Sequence, residues 1–500
     1  MRRILCLGLA ACAAGPPPKP ALPPQKFVVT PGPAPVDRRT KVLAALPKVQ
    51  ELLGERAKAF PSLAVGVVVG GELVWSRGYG VRDDDQKDEV TASTVFRIGS
   101  ITKIVTGLAL LKLRDEGKVS FDDPVVETLP ELAGIGYPTR DSPMLTLRHL
   151  VTHCSGLPRD GAYDPDGSAA PPTEADILAE AAGRTLAFAP GTEDAYSNLG
   201  LAVAGVVVHR ASGVPYPTYV SDRLLAPLGM TATVWDDTKV PAGRLALGHR
   251  RLGDKLSAHP QQWHLGAGAA TGGLYSTVED MAKLIAFELL AWPPRDDAEQ
   301  GLIRRATVRE SQLAFGPARA GRANFGVGWV IYEEPSVGYT LFHNGATPDY
   351  SATLWLAPRR QIGVVAMAGS GDFSQLDAVG REVLGILAAA VPEPTRPVGP
   401  PTRAALDRLL KLLDKPDEAG VKAAFSERFL KAVPAATAVS TLQAIHGDMG
   451  ACTGTEPLSV RSDTDATVRV TCDKGAFLLT LSVSAAEPYL IDLLKPTPIQ

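Results

Sequence analysis

Between residues 62 and 81 the chain reads SLAVGVVVGGELVWSRGYGV, two runs of β-type residues around Gly70 and Gly71. Such runs on either side of paired glycines predict a hairpin, and with it the start of an antiparallel sheet. The period then changes. From Ile101 to Glu116 apolar residues fall at 101, 104, 105, 108 and 111, and Gly117 follows as a stop, which predicts a helix with a broad buried face. Residues 120 to 270 alternate short helical patterns with Pro and Gly turns, including helices from Glu174 to Ala182 and from Leu199 to Ala211. After a further helix from Thr277 to Leu290, the β signal returns in FGVGWVIYEE, YTLFHNG, SATLWLAP and QIGVVAMAG.

One sheet interrupted by a long helical insertion is the economical reading of this order. It predicts an α/β sandwich of a mainly antiparallel sheet with flanking helices and a helical lobe, spanning residues 41–391, with a cleft at the join. Five prolines between Val391 and Pro401 mark a linker at 392–401. Beyond it, helical patterns to about Gly447 and the strands ATVRVTC and AFLLTLSVS, joined through Asp473, Lys474 and Gly475, predict a separate α+β domain over 402–500. Its outline loosely resembles the nuclear transport factor 2 group, and it carries no catalytic constellation.

At 500 residues, with 45% apolar and 21% charged, the chain can bury large cores. A net charge of -3 offers no basic field for nucleic acid, which is excluded as an expected partner. The opening MRRILCLGLAAC has two arginines and an apolar run too short to span a bilayer, so residues 1–12 read as an export signal. Leu9, Ala10, Ala11 and Cys12 resemble a bacterial lipobox, which implies cleavage before Cys12, lipidation of that cysteine, and a periplasmic or surface lipoprotein of the cell envelope. The alternatives are a conventional signal peptide cut near Ala13 or Ala14, or a misplaced start codon. The proline-dense residues 13–40 then read as a tether. In an oxidising compartment Cys452 and Cys472 could form a disulfide, the alternative being two separate buried thiols. No cysteine or histidine spacing resembles a zinc site, and neither metal nor cofactor is expected.

Ser100 and Lys103 lie three residues apart at the start of the second predicted element. The spacing alone is weak, since Ser is a favoured helix cap and about one such pair is expected by chance in a chain of this composition. Chemically, however, positions three apart share a helix face, so the lysine amine can reach the serine hydroxyl and take its proton. Two later stretches supply the remaining groups. In APGTEDAYSNLGLA, Tyr196 and Asn198 stand just before a helix: a tyrosinate held down by a nearby ammonium could act as base, and Asn198 could hold the lysine or a substrate amide. In LFHNGATPDYSATLWLAP, His343 and Gly345 edge a strand, and the amide of Ala346 could join that of Ser100 in stabilising an oxyanion.

SITK, YSN and HNG, in that order, resemble the three motifs of the serine β-lactamase and penicillin-binding protein superfamily. The tyrosine of the second motif is similar to that of class C β-lactamases, D,D-peptidases, D-aminopeptidases and related esterases. LTLRHLVTHCSGLP, LLAPLGMTATVW, TGGLYSTVEDMAKL and FGVGWVIYE extend the likeness over about residues 45 to 390. The resemblance implies a β-lactamase-like fold and Ser100 as the acylated nucleophile. It also implies Lys103 as its partner in proton transfer, Tyr196 as base, Asn198 as positioner, and His343 as an electrostatic and orienting group. An oxyanion hole would form at Ser100 and Ala346. The expected substrate is a β-lactam, a D-amino-acid peptide or a small ester; the histidine in the third motif departs from the lysine usual in efficient β-lactamases. A non-catalytic penicillin-binding or sensor protein that retains the fold is the alternative.

Other constellations are less promising. His153 and Cys154 are adjacent in a loop and are not expected to face one another as a dyad. Asp83, Asp84 and Asp85 lack the spaced glycine and glutamate of a calcium loop. No GxSxG elbow occurs.

Overall fold

A computed structural model describes residues 37–498 apart from residues 86, 162–169, 254, 261, 263, 296, 300, 316–323, 335, 394–397 and 461. The residues read as an export signal with a lipobox at Cys12, and nearly all of those read as a tether, lie outside the described residues.

Helix α1 (Arg38–Arg56) opens at a cap where Asp37 accepts from the amide of Thr40. It therefore begins three residues inside the segment read as tether. Its apolar side, Val42, Ala45, Leu46, Val49 and Leu53, follows a helical period, and that burial outweighs the interior Pro47. The hairpin β1 (Ser62–Val69) and β2 (Glu72–Gly80) forms about Gly70, whose φ of 59° is the left-handed geometry that favours glycine.

The β patterns late in the chain become β3 (Asn324–Phe325), β4 (Val330–Glu334), β5 (Gly338–Ala346), β6 (Ser351–Ala357) and β7 (Ile362–Ala368). All seven strands join one antiparallel sheet in the order β2-β1-β7-β6-β5-β4-β3. The first and last portions of the domain thus pair directly, with Leu63 opposite Ala368 and Val69 opposite Ile362. The sheet is covered on both faces, which is why β1 and β7 read as continuous apolar runs. Leu63, Val65 and Val67 pack with α1 and with a later helix (Phe373–Ala390), whereas Ala64 and Val68 belong to the core shared with the helical lobe.

In the lobe, α2 (Thr102–Asp115), α3 (Glu174–Ala182) and α4 (Asn198–Ser212), and against the sheet α5 (Val278–Leu289), match the segments predicted from apolar spacing to within a residue or two. Helix α6 is the Phe373–Ala390 segment, which together with α1 carries no counterpart in the sequence reading. The C-terminal domain has α7 (Pro400–Asp414), α8 (Glu418–Ala424), α9 (Glu427–Ala432) and α10 (Ala435–Met449), followed by a four-stranded antiparallel sheet of β8 (Cys452–Val460), β9 (Asp465–Cys472), β10 (Gly475–Val483) and β11 (Ile491–Pro498). Cys452 and Cys472 stand opposite each other on β8 and β9, and their sulfurs are bonded.

Candidate active site

Ser100 does not cap α2. It lies in a 3-10 turn, Gly99–Ile101, entered through a left-handed Gly99 at φ 50°, and α2 starts two residues later. The hydroxyl of Thr102, 2.8 Å from the carbonyl of Gly99, ties the turn to the helix. That geometry frees the Ser100 hydroxyl for Lys103, whose Nζ stands 2.9 Å from Ser100 Oγ. The same Nζ donates to the backbone carbonyl of Thr271 at 2.6 Å. Thr271 is in turn held against α2, because Thr106 Oγ1 donates to the carbonyl of Ala270 at 2.8 Å and Thr102 Oγ1 accepts from the amide of Leu274. Residues 102, 103 and 106 of one helix therefore build the seat of the amine.

Lys103 is 1% exposed. Burial holds its ammonium well below the ordinary lysine range, and Arg159 pushes in the same direction while Asp160 opposes it. Tyr196 approaches from the other side. Its phenol interacts with the Ser100 hydroxyl, and Lys103 Nζ lies 5.1 Å from the centre of its ring. Burial pushes this phenol up to about 12, against smaller lowering effects of the Ser100 bond and Arg159. Burial thus works against both members of the ammonium and tyrosinate pair that the sequence reading envisaged. Desolvation disfavours both charges at once.

Two loops run side by side to hold Tyr196. The amide of Ala195 donates to the carbonyl of His153 at 2.8 Å, Ser197 Oγ donates to the carbonyl of Pro158 at 2.7 Å, and the amide of Asn198 donates to the carbonyl of Arg159 at 2.6 Å. Ser197 caps α4 by accepting from the amide of Gly200. Asn198 Nδ2 donates to Asp160 Oδ1 at 2.6 Å, so its amide braces the loop instead of holding the lysine.

The third motif lies on β5. Gly345 packs so closely on the segment leading to the nucleophile that a Cβ built there would stand 1.8 Å from the carbonyl oxygen of Ile98 and 3.0 Å from the amide nitrogen of Ser100. A Cβ on Gly99 would likewise stand 2.9 Å from the amide nitrogen of Ala346. The two candidate oxyanion donors are therefore brought together by a pair of glycines. His343 is 3% exposed and donates from Nδ1 to the carbonyl of Asn344 at 2.6 Å. Burial, with Lys103 nearby, brings its imidazole down to about 3. A neutral ring orients through hydrogen bonding and supplies no positive charge, which departs from the electrostatic role expected of it. Asn344, on the opposite face of the strand, donates to Asp377 of α6 at 2.5 Å.

The structure thus gathers Ser100, Lys103, Tyr196, His343, Gly345 and Ala346 into one constellation, with Asn198 two residues beyond Tyr196. The sequence reading did not single out the Thr271 carbonyl, Arg159 or Asp160 as parts of the site. Arg159 stands 5.1 Å from the Tyr196 ring centre. His153, set aside as half of a dyad with Cys154, stacks on the same ring. Cys154 points elsewhere, its sulfur toward the carbonyl of Thr152. Among the described residues one metal-type group occurs, Asp236, Asp237 and His264, and none of its members belongs to this constellation.

Comparison with known proteins gives a consistent picture. A family model described as Beta-lactamase matches residues 45–387. "Protein flp" of Staphylococcus aureus (strain COL) is 26% identical over 308 residues, covering 62% of this chain and 59% of that protein. "Beta-lactamase-like protein 2" of Dictyostelium discoideum is 32% identical over 332 residues, covering 64% of this chain and 58% of that protein. The chain therefore spans under two thirds of the length of these curated relatives. Among solved structures, an octameric penicillin-binding protein homologue from Pyrococcus abyssi shares the fold with a TM-score of 0.59 at 21% identity, covering 90% of this chain and 100% of that one.

Proposed function

The chain belongs to the beta-lactamase family, and from that premise we propose that it is an exported serine hydrolase that forms an acyl-enzyme at Ser100. The observation that carries the proposal is the 2.9 Å contact between Lys103 Nζ and Ser100 Oγ, with the Tyr196 phenol facing the same serine. In its uncharged form, which burial favours, the Lys103 amine at that distance can accept the hydroxyl proton as Ser100 attacks a carbonyl carbon. The resulting ammonium stays bound to the Thr271 carbonyl. The amides of Ser100 and Ala346 would receive the oxyanion, each such donor lowering the barrier by about 3 kcal/mol. As the intermediate collapses, the Tyr196 phenol gives its proton to the leaving group. In deacylation a water takes the place of the leaving group, its proton returns to the pair, and Ser100 is released. Because Lys103 and Tyr196 share one serine, they titrate as a unit over the cycle.

Substrates of the proposal are a β-lactam, a D-amino-acid peptide or a small ester. The neutral His343 supports the small ester over rapid β-lactam turnover, because it offers no fixed cation to a substrate carboxylate. Export rests on the N-terminal pattern, and the mature chain would begin at a lipid-modified Cys12, which mass spectrometry of the N-terminus tests.

The test of the enzyme reading is covalent labelling with a fluorophosphonate probe. The full chain should label and Ser100→Ala should not. Equal labelling of the two, or none of either, sinks the reading in favour of a non-catalytic binding protein.

A further inference from the structure

Among the described residues, His153 is the one buried titratable side chain stacked on the catalytic constellation that the proposed chemistry leaves without a task. It is 3% exposed, and its backbone lies at φ 59°, a left-handed geometry uncommon for a residue with a Cβ. Its ring stacks on Tyr196 with centroids 4.2 Å apart and planes 24° from parallel. The edge of Phe325 closes from another side at 4.8 Å. Nδ1 accepts the amide hydrogen of Ser197 at 3.1 Å, while the carbonyl of His153 accepts that of Ala195 at 2.8 Å. One residue therefore grips the chain immediately before and immediately after Tyr196 and also covers its ring.

We propose that His153 is a positioning residue for Tyr196: its stacked ring and its two hydrogen bonds fix the phenol oxygen on Ser100. The inference rests on the serine hydrolase reading above. The left-handed φ is consistent with it, since the residue in this conformation presents both its carbonyl and its ring to the same three-residue segment. The ring must also stay uncharged for Nδ1 to accept from Ser197. Burial, then Lys103, His343 and Arg159, hold it well below the ordinary histidine range.

His153→Asn is the informative variant. Asparagine enters left-handed backbone more readily than most residues, and its side-chain oxygen lies the same number of bonds from Cβ as Nδ1 does. The loop and the bond to Ser197 are thus kept while the stacked ring is removed. On the full chain with p-nitrophenyl acetate, His153→Asn should lower kcat about tenfold or more, because a small misplacement of a reacting group is costly, and leave KM within about threefold. The rate of fluorophosphonate labelling should fall by a similar factor. If His153 acts through Tyr196, adding His153→Asn to Tyr196→Phe should change the labelling rate less than about twofold, since coupled residues are non-additive. A wild-type rate in His153→Asn, or the same factor lost with and without Tyr196, overturns the inference. Both outcomes are distinct from failure of the enzyme reading, which Ser100→Ala reports.

Discussion

Gly345→Ala isolates the contact between β5 and the nucleophile turn. The new methyl group would stand 1.8 Å from the carbonyl oxygen of Ile98 and 2.8 Å from its carbon, and both are backbone atoms that no rotamer change can move. Contacts below 3.0 Å are essentially never seen for a real Cβ, so the two backbones must part by more than 1 Å. Overpacking of this kind costs about 1–3 kcal/mol of stability. Its catalytic effect should be larger, because the same displacement separates the amide of Ala346 from that of Ser100. Losing one such donor removes about 3 kcal/mol of transition-state stabilisation, a fall in kcat of about two orders of magnitude. Steady-state kinetics with p-nitrophenyl acetate, alongside Tm by differential scanning fluorimetry, separates the two effects. A folded Gly345→Ala protein with kcat within about threefold of wild type would refute the reasoning, since two aligned amides would then not be needed.

Further outcomes follow from the same geometry. Lys103→Ala and Tyr196→Phe should each lower kcat by at least about a hundredfold with a native circular dichroism spectrum; a wild-type rate in either removes its assigned role. Because the amine must be uncharged to accept a proton, kcat/KM should rise with pH along an acid limb well below about 10.4, the usual lysine value, and a limb at that value would show that Lys103 is not depressed. Glu288, fully buried on α5 with Gln312 bonded to it at 2.6 Å, has its carboxyl raised from 4.5 to about 7 by burial. The folded state therefore holds that proton more tightly than the unfolded chain. The resulting stability is complete below the unfolded value and is lost as pH rises through about 7, a swing of about 3 kcal/mol. Urea melts from pH 4.5 to 8 should show this slope, and Glu288→Gln should flatten it. An equal slope in the variant assigns it elsewhere.

Much of the site was legible because its chemistry resides in side chains at short, fixed spacings. Ser100 and Lys103 on one turn, and Tyr196 just before a capped helix, need no long-range information to be noticed, and β5 announced itself by composition and its glycine. What escaped notice was supplied by backbone or by tertiary packing. The Thr271 carbonyl has no residue-type signature, and neither does the carbonyl with which His153 holds Ala195. The charge states of Lys103, Tyr196 and His343 depend on how completely the fold excludes water, which spacing does not encode. Helix α1 was hidden by the preceding prolines and its own Pro47, although Val42, Ala45, Leu46, Val49 and Leu53 share one face. Helix α6 likewise passed unread behind the strong signal of the strand before it.

The central claim is a covalent acyl group on Ser100. Acid quenching of the full-length protein in the first turnovers of p-nitrophenyl acetate or a penicillin, followed by intact-mass and peptide mass spectrometry, tests it directly. The expected result is a mass gain equal to the acyl group on the peptide carrying Ser100, and none in Ser100→Ala. Hydrolysis that proceeds with no adduct, or an adduct on another residue, would contradict it.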